Sequence, residues 1–268
     1  MPEKKNIISI SHVFAGYSSG KKENDYVLKD ISLDIREGSS VSIIGSNGSG
    51  KTTLLRVIAG LLHHRGEVLF DQKNIDTMTR KQIAARIAML SQVSHVYFSY
   101  NVYDTIMQGR YVHNSFWGDY SRDNKEIVDE TIETFGLSQI VDKKITSLSG
   151  GQLQKVMLAR CIAQRSPVIL LDEPMNHLDL KVQAEFMHYL NEWKRNGVAW
   201  ADGKKYMPTI IGVFHDINIA ARMADDVVCL KDGKILLSGE KKEVITSETL
   251  CDVFDFDIVS FLRDVWAM

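Results

Sequence analysis

One eight-residue segment constrains this chain more than any other. Residues 45–52 read Gly-Ser-Asn-Gly-Ser-Gly-Lys-Thr, which fits G-x-x-x-x-G-K-[ST] at every fixed position. An apolar, strand-like stretch precedes the segment at residues 41–44, and a helical pattern begins at Lys51. A glycine-rich turn in this setting exposes backbone N–H groups, and the helix N-terminus adds partial positive charge. The segment therefore predicts a P-loop that binds nucleotide phosphates, with Lys51 on the β- and γ-phosphates and the Thr52 hydroxyl on Mg²⁺.

The composition excludes several classes of protein. Of the 268 residues, 44% are hydrophobic and 25% are charged, which excludes a disordered chain, a collagen-like chain and a coiled-coil rod. The net charge of −2 gives no support for a nucleic acid or an anionic membrane as the main partner. We find neither an apolar run of membrane-spanning length nor a secretory signal. Cys161, Cys229 and Cys251 lack disulfide or metal-site spacing, and we expect reduced side chains buried in the core of a cytosolic protein.

Strand-like and helical patterns divide the chain into three parts. The predicted strands are residues 7–13, 31–35, 41–44, 67–70, 87–91, 168–171, 209–214, 227–230 and 234–238. The predicted helices include residues 51–61, 152–164, 180–194 and 217–224. From about residue 100 to residue 163, apolar residues recur at helical spacing. These patterns predict an α/β fold with a mainly parallel sheet, antiparallel N-terminal strands and an inserted helical block.

The connection at residues 196–208 contains an Asp202-Gly203 pair between two segments that favour β-structure. Such a pair is a strong hairpin signal. We predict a small hairpin that brings Trp200 and Tyr206 close together, and an irregular loop is the alternative.

A second segment supports phosphate chemistry. Residues 168–173 read Val-Ile-Leu-Leu-Asp-Glu, a buried strand that ends in two carboxylates. Buried carboxylates are costly unless they are paired or bind a metal, and ligands of open α/β sheets bind at the carboxyl ends of strands. We expect Asp172 to orient Mg²⁺, directly or through its water, and Glu173 to polarise the water that attacks the γ-phosphate. A solvent-facing pair at a strand end is the alternative.

A third segment, Leu148-Ser149-Gly150-Gly151-Gln152, matches the signature motif of a known family. With these motifs, the sequence resembles the ATP-binding cassette (ABC) ATPases from about residue 7 to residue 239. The resemblance implies a P-loop NTPase (RecA-like) core, an antiparallel β subdomain and a helical subdomain. It implies one ATPase domain over residues 1–240, with its core at about 1–92 and 165–240 and its helical subdomain at about 93–164. Residues 241–268 would form a short helical tail.

The resemblance also assigns roles to single residues. Tyr17 matches the aromatic residue that stacks on adenine, with Tyr26 as the alternative. Gln92 matches the Q-loop glutamine, which contacts Mg²⁺ and the attacking water, and His215 matches the switch histidine, which contacts the γ-phosphate. The implied nucleotide contacts are Tyr17, Gly45, Ser46, Asn47, Gly48, Ser49, Gly50, Lys51, Thr52, Thr53, Ser149, Gly150, Gly151, Gln152 and Asp179. The implied catalytic residues are Glu173, His215 and Gln92, and the implied metal contacts are Thr52, Gln92 and Asp172.

The resemblance implies a dimer that shares its nucleotides. Ser149 is a good helix N-cap residue, and the glycines after it expose N–H groups. In the family this helix end binds the nucleotide of a second subunit, so two copies face head to tail around two ATP molecules. Asp179 then helps to couple the two sites. Met175, Leu153 and Lys155 depart from the family's usual residues, but none has an assigned chemical role.

The resemblance implies that this chain is a subunit that lies on the cytoplasmic side of a membrane and binds integral permease subunits. A substrate-binding protein is an indirect partner, and no nucleic acid is expected. Residues 107–111, 116–118, 126–135 and 215–220 resemble those of ATPases that power import of iron-siderophore, haem or cobalamin complexes. The alternatives are an importer of another small solute and a non-transport ABC ATPase.

Overall fold

The structure is a computed structural model that describes residues 5–17, 26–91, 99–113, 121–176, 178–199 and 205–261. The chain divides into two compact units, Met1–Met78 with Ile210–Met268, and Thr79–Thr209. Both units combine helices with strands, so the predicted α/β class is confirmed.

The first unit contains an antiparallel sheet built from the N-terminal strands. Its strands are β1 (Asn6–Ala15), β2 (Leu28–Arg36), β4 (His64–Phe70) and β5 (Lys73–Asn74), in the order β2-β1-β4-β5. β1 pairs with both β2 and β4, and its residues Ile7, Ile8 and Ile10 are buried. Gly66 is required in β4, because a Cβ atom there would lie 2.3 Å from the His12 carbonyl oxygen. The antiparallel N-terminal portion is therefore confirmed.

A second set of strands in this unit carries the P-loop. The set consists of β3 (Ser40–Ile44), β10 (Thr209–Val213), β11 (Asp226–Lys231) and β12 (Lys234–Glu240). β10 and β11 both run parallel to β3, and β12 is antiparallel to β11. All five residues of β3 are buried, as is typical of the centre of a parallel sheet. The helices of this unit are α1 (Lys51–Ile58), α7 (Ile217–Met223), α8 (Lys241–Val244) and α9 (Ser247–Phe254).

The second unit combines two buried parallel strands with helices. The strands are β6 (Ile87–Leu90) and β7 (Val168–Asp172), paired in parallel. The helices are α2 (Arg80–Arg86), α3 (Val102–Met107), α4 (Arg122–Thr134), α5 (Gly150–Ala163) and α6 (Leu180–Asn196). Ile106, Val128, Ile132 and Phe135 are all buried, which confirms the helical spacing read from the sequence.

The predicted hairpin is present between α6 and β10. β8 (Val198–Ala199) pairs in antiparallel register with β9 (Lys205–Tyr206). Tyr206 is buried, whereas Trp200 and the Asp-Gly turn lie outside the described residues. The hairpin is therefore confirmed, and the proximity of Trp200 to Tyr206 stays a prediction.

Three details differ from the sequence-based expectations. The signature helix begins at Gly150, two residues before the predicted start at residue 152, because Ser149 is its N-cap. The P-loop helix ends at Ile58, since Gly60 adopts a left-handed φ of +64°, a conformation that ends helices. Cys161 and Cys229 are buried as expected, but Cys251 is exposed, because α9 turns Leu250 and Val253 toward the core.

Among the described residues, no helix is both long and apolar enough to span a membrane.

A buried arginine joins three elements of the helical block. Arg110 is 6% exposed, and its guanidinium donates to the Asn124 side-chain oxygen at 2.9 Å and to the Ala163 carbonyl at 2.7 Å. Burial, and to a smaller extent the positive charge of Arg165, lowers the pKa of Arg110 to about 10. The side chain therefore stays charged at neutral pH and holds α4 and the end of α5 to the turn that carries it.

We expect Arg110→Met to destabilise the protein. Methionine fills much of the space but removes the donor to the Ala163 carbonyl, and a buried polar group without its partner costs about 1–3 kcal/mol. The measurement is the urea midpoint of unfolding. The matched control is Arg122→Met, which removes a surface pair with Glu126 that contributes about 0.3–0.5 kcal/mol. Equal midpoints for the two variants would contradict a bridging role for Arg110.

Candidate nucleotide site

The P-loop turn joins β3 to α1, and its backbone carbonyl groups bind the side chain of Lys51. Lys51 is 6% exposed, and its ammonium group donates to the carbonyl oxygens of Gly45 at 2.9 Å and Ser46 at 2.8 Å. The ammonium group is therefore held across the mouth of the turn, where it can pair with an anion. Thr52 and Thr53 follow in the first turn of α1, and Asn47 and Gly48 lie exposed at the tip.

Three further features of the turn fit a phosphate group. A Cβ atom at Gly45 would lie 2.2 Å from the Leu230 carbonyl oxygen and 2.7 Å from Ser49 Oγ, so only glycine fits there. Gly50 caps α1 in the left-handed region at φ +104°, which glycine adopts without strain. The Ser49 hydroxyl is buried and has no hydrogen-bond partner among the described residues. A buried orphan hydroxyl requires an explanation, and a phosphate oxygen supplies a suitable acceptor.

The structure distinguishes the two tyrosines proposed for adenine stacking. The Tyr17 hydroxyl lies 3.3 Å from Thr53 Oγ1 in α1 and accepts from Arg56 at 3.2 Å, and the residue is 55% exposed. Tyr26 instead packs against Phe14, with ring centroids 5.8 Å apart, and lies beneath the guanidinium of Arg65. The Tyr17 ring likewise lies beneath a guanidinium, that of Arg56 at 5.6 Å. What distinguishes Tyr17 is its place beside the P-loop helix and its greater exposure to solvent.

Strand register brings His215 to the same sheet edge as the P-loop. Val213 of β10 pairs with Ile43 of β3 in parallel, so residues two positions further along both strands emerge side by side. His215 is exposed there, at the end of the sheet from which the P-loop leaves β3. The next residue, Asp216, caps α7 by accepting the Asn218 N–H at 2.7 Å, which fixes the direction in which the chain leaves the sheet.

The two carboxylates follow β7 in the second unit. Asp172 is the last residue of the strand and is 6% exposed, whereas Glu173 is half-buried with a left-handed φ of +52°. Leu171 pairs with Leu90 of β6 in parallel, so the segment after β6 leaves the same edge as these carboxylates. Gln92 belongs to that segment but lies outside the described residues, and its role stays a prediction.

The signature motif forms the exposed tip of α5. Ser149 Oγ accepts the Gln152 backbone N–H at 3.3 Å, and Gln152 Oε1 accepts the Ser149 N–H at 3.1 Å, which together form a capping box. Ser149, Gly150 and Gln152 are exposed. A Cβ atom added at Gly150 would meet nothing within 4 Å, so the space in front of this helix end is open. The motif therefore lies on an accessible face with its first backbone N–H groups available for an anion.

Asp179 begins the next helix. Its Oδ1 accepts the Val182 N–H at 2.9 Å, which makes it the N-cap of α6. A Cβ atom at Gly151 would lie 3.1 Å from the Val182 side chain, so the signature tip packs closely on the first turn of α6. Asp179 is thus placed beside the signature motif of its own chain.

Comparison with known proteins identifies the family. The sequence matches the family model described as ABC transporter over residues 28–176. The chain belongs to the ABC transporter family of ATPases. This ABC ATPase is 34% identical over 229 residues to the petrobactin import ATP-binding protein FpuD of Bacillus anthracis, covering 85% of this chain and 81% of that protein. It is 35% identical over 248 residues to the hemin import ATP-binding protein HmuV of Bradyrhizobium diazoefficiens, covering 89% of this chain and 86% of that protein.

Solved structures agree with this ABC ATPase assignment. CbiO1 from Clostridium perfringens, part of the ABC transporter complex cbiONQ, is 29% identical with a TM-score of 0.76, covering 93% of this chain and 94% of that one. The ATP-binding cassette MJ0796 was solved as a dimer in a post-hydrolysis state with ADP and Pi. It is 27% identical with a TM-score of 0.71, covering 87% of this chain and 98% of that one.

Two side chains near the carboxylates of this ABC ATPase were missed by sequence reasoning. Asn176 Nδ2 donates to Glu173 Oε2 at 2.7 Å, and Gln154 Nε2 donates to the Pro174 carbonyl at 2.6 Å. The family motifs include Asn176 only as part of a loop and give Gln154 no role. No local pattern could have revealed the second contact, because it joins residues 20 positions apart.

Proposed function

We propose that this protein is the ATP-hydrolysing subunit of an ABC importer for a metal-chelate solute, of the iron-siderophore, haem or cobalamin type. The observation that supports ATP hydrolysis is the P-loop, in which the Lys51 ammonium bonds to the carbonyl groups of Gly45 and Ser46 and the buried Ser49 hydroxyl has no hydrogen-bond partner among the described residues. The import part rests on relatives named for petrobactin and hemin import that match most of the chain. An importer of another small solute is the second candidate, because an ATPase subunit does not contact the cargo.

The proposed chemistry gives each predicted site residue a role. The backbone of residues 45–52 and the Lys51 ammonium bind the phosphates, and the Tyr17 ring stacks on adenine. Thr52, Asp172 and Gln92 are the proposed Mg²⁺ contacts, and the cation, when bound, neutralises charge on the β- and γ-phosphates. Glu173 accepts a proton from the water that attacks the γ-phosphorus. His215 contacts the γ-phosphate.

The proposed working form is a head-to-tail dimer. Ser149 and Gly150 lie at the exposed tip of α5 with open space before them, and the dimeric relative with ADP and Pi supports this arrangement. The N–H groups of that tip bind the nucleotide held by the partner copy's P-loop. ATP binding closes the dimer, hydrolysis reopens it, and the permease subunits follow this two-state cycle.

We expect Ser149→Arg to spare ATP binding and to block closure. The bulky cation removes the N-cap hydroxyl and fills the space that the partner's nucleotide needs, so hydrolysis should fall at least about tenfold, the loss expected for about 1.4 kcal/mol of binding. The measurements are ATP affinity, phosphate release and dimerisation with MgATP by light scattering. Ser147→Arg is the control, since Ser147 is exposed but outside the motif. A Ser149→Arg protein that dimerises and hydrolyses normally would contradict the shared site.

Uptake in the protein's own host tests the transport role. Deletion of the gene should abolish uptake of one labelled solute among a ferric siderophore, haem and cobalamin, and the parental gene should restore it. The Ser149→Arg gene should not restore it. Normal uptake of all three solutes by the deletion strain would overturn the metal-chelate assignment and favour the second candidate.

A further inference from the structure

The turn that carries Glu173 is held in a strained conformation. Glu173 adopts φ +52°, a left-handed conformation that is strained for a residue other than glycine. Such strain persists only where the surrounding structure over-determines the backbone, and it concentrates at functional sites. Pro174 and Met175 are buried immediately after it, so the backbone of this turn is fixed on its inner side.

Two side-chain amides hold the remainder of the turn. Gln154, from α5, donates its Nε2 to the Pro174 carbonyl at 2.6 Å, which fixes the peptide next to Glu173. Asn176 donates its Nδ2 to Glu173 Oε2 at 2.7 Å, which fixes the carboxylate itself. Both amide side chains are half-buried, so water competes less for these bonds than it would at the surface. All four residues lie in the second unit.

The proposed hydrolysis requires the Glu173 carboxylate to be held in a defined orientation. A glutamate side chain has several rotatable bonds, and ordering it costs conformational entropy. A general base must also lie within hydrogen-bond reach of the water that it deprotonates. The Asn176 amide occupies one carboxylate oxygen, Oε2, and a carboxylate oxygen can accept further bonds, so Glu173 can still take a proton from water.

We propose that Asn176 and Gln154 are positioning residues, which hold the backbone and the carboxylate of Glu173 in the geometry that attack on the γ-phosphate requires. The proposal rests on the proposed role of Glu173 as the base. Neither residue belongs to the proposed nucleotide contacts, so each acts only through Glu173.

The test compares kcat and KM in the full-length protein. Asn176→Ala should lower kcat about tenfold, within the range caused by small misplacement of a reacting group, and should leave the KM for ATP unchanged. Gln154→Ala should also lower kcat, though by a smaller factor, and should leave the KM for ATP unchanged. Asn176→Asp matches the shape of asparagine but lacks the donor at neutral pH, so it should lose at least as much kcat as Asn176→Ala.

Two controls separate positioning from general damage. Gln82→Ala removes an amide from a capping box in the same unit and should leave kcat unchanged. In a Glu173→Gln background, Asn176→Ala should cause no further loss, because the group that Asn176 positions is already inactive. A structural defect would instead lower residual hydrolysis in both backgrounds.

Three outcomes would overturn the proposal. The first is a parental kcat for Asn176→Ala. The second is a parental kcat for Asn176→Asp while Asn176→Ala is slow. The third is a raised KM for ATP with unchanged kcat in either variant. If Glu173→Gln itself hydrolyses ATP at the parental rate, the proposed function of Glu173 fails. If Glu173→Gln is inactive while Asn176→Ala keeps its kcat, only the positioning proposal fails.

Discussion

Glu173→Gln is expected to bind ATP normally and to lose about 10²–10⁴-fold in hydrolysis, the usual contribution of a general acid or base. The substitution keeps the shape of the side chain, and the new amide oxygen can still accept from Asn176, which now donates to Glu173 Oε2 at 2.7 Å. Only the capacity to take a proton is lost. The variant should therefore accumulate as an ATP-bound dimer.

Phosphate release, ATP affinity and dimer mass measured on one preparation check this expectation. Glu192→Gln is the matched control, because Glu192 lies on α6 and pairs at the surface with Arg195. Its rate should equal that of the parent. If Glu173→Gln released phosphate as fast as the parent, Glu173 would not be the base.

Lys51→Ala is expected to weaken ATP binding by about 10–150-fold, the factor that corresponds to hydrogen bonds of about 1.5–3 kcal/mol with a charged group. The side chain supplies the only ammonium group in residues 45–52. Its removal also frees the Gly45 and Ser46 carbonyl groups that it now ties together, so the turn loses its shape as well as its charge.

Calorimetric titration with ATP measures the loss, and thermal unfolding shows whether the fold survives. Lys51→Met retains most of the buried aliphatic part of the side chain and should lose ATP affinity to a similar extent. The comparison separates the effect of the lost charge from the effect of lost packing. Lys73→Ala removes an exposed lysine from the same unit and should bind ATP as the parent does. Unchanged affinity in both Lys51 variants would place the triphosphate elsewhere.

Contiguous motifs were sufficient for the P-loop and for the signature tip. The chemistry of residues 45–52 depends on local backbone conformation, and glycines at fixed spacing largely determine that conformation. The same holds for Ser149, whose capping role follows from its position before a helix and from Gln152 three residues later. The hairpin at β8 and β9 was likewise predictable, since its Asp-Gly signal is local.

Strand periodicity also predicted most of the fold. Buried strands such as β3 and β7 are apolar throughout, so their existence was clear, although their pairing was not. The parallel pairing of β10 with β3 is what brings His215 and the P-loop to the same end of the sheet. Register depends on which strands meet in the sheet, and no single strand contains that information.

The amino-acid sequence by itself was sufficient to predict where phosphate binds, because the P-loop conformation depends on consecutive residues. Only the tertiary structure decided which tyrosine lies beside that helix, how Arg110 joins the helical block, and that Gln154 and Asn176 hold the turn of Glu173. Several of these contacts join residues far apart in the chain, and such contacts arise when elements pack and buried polar groups must find partners.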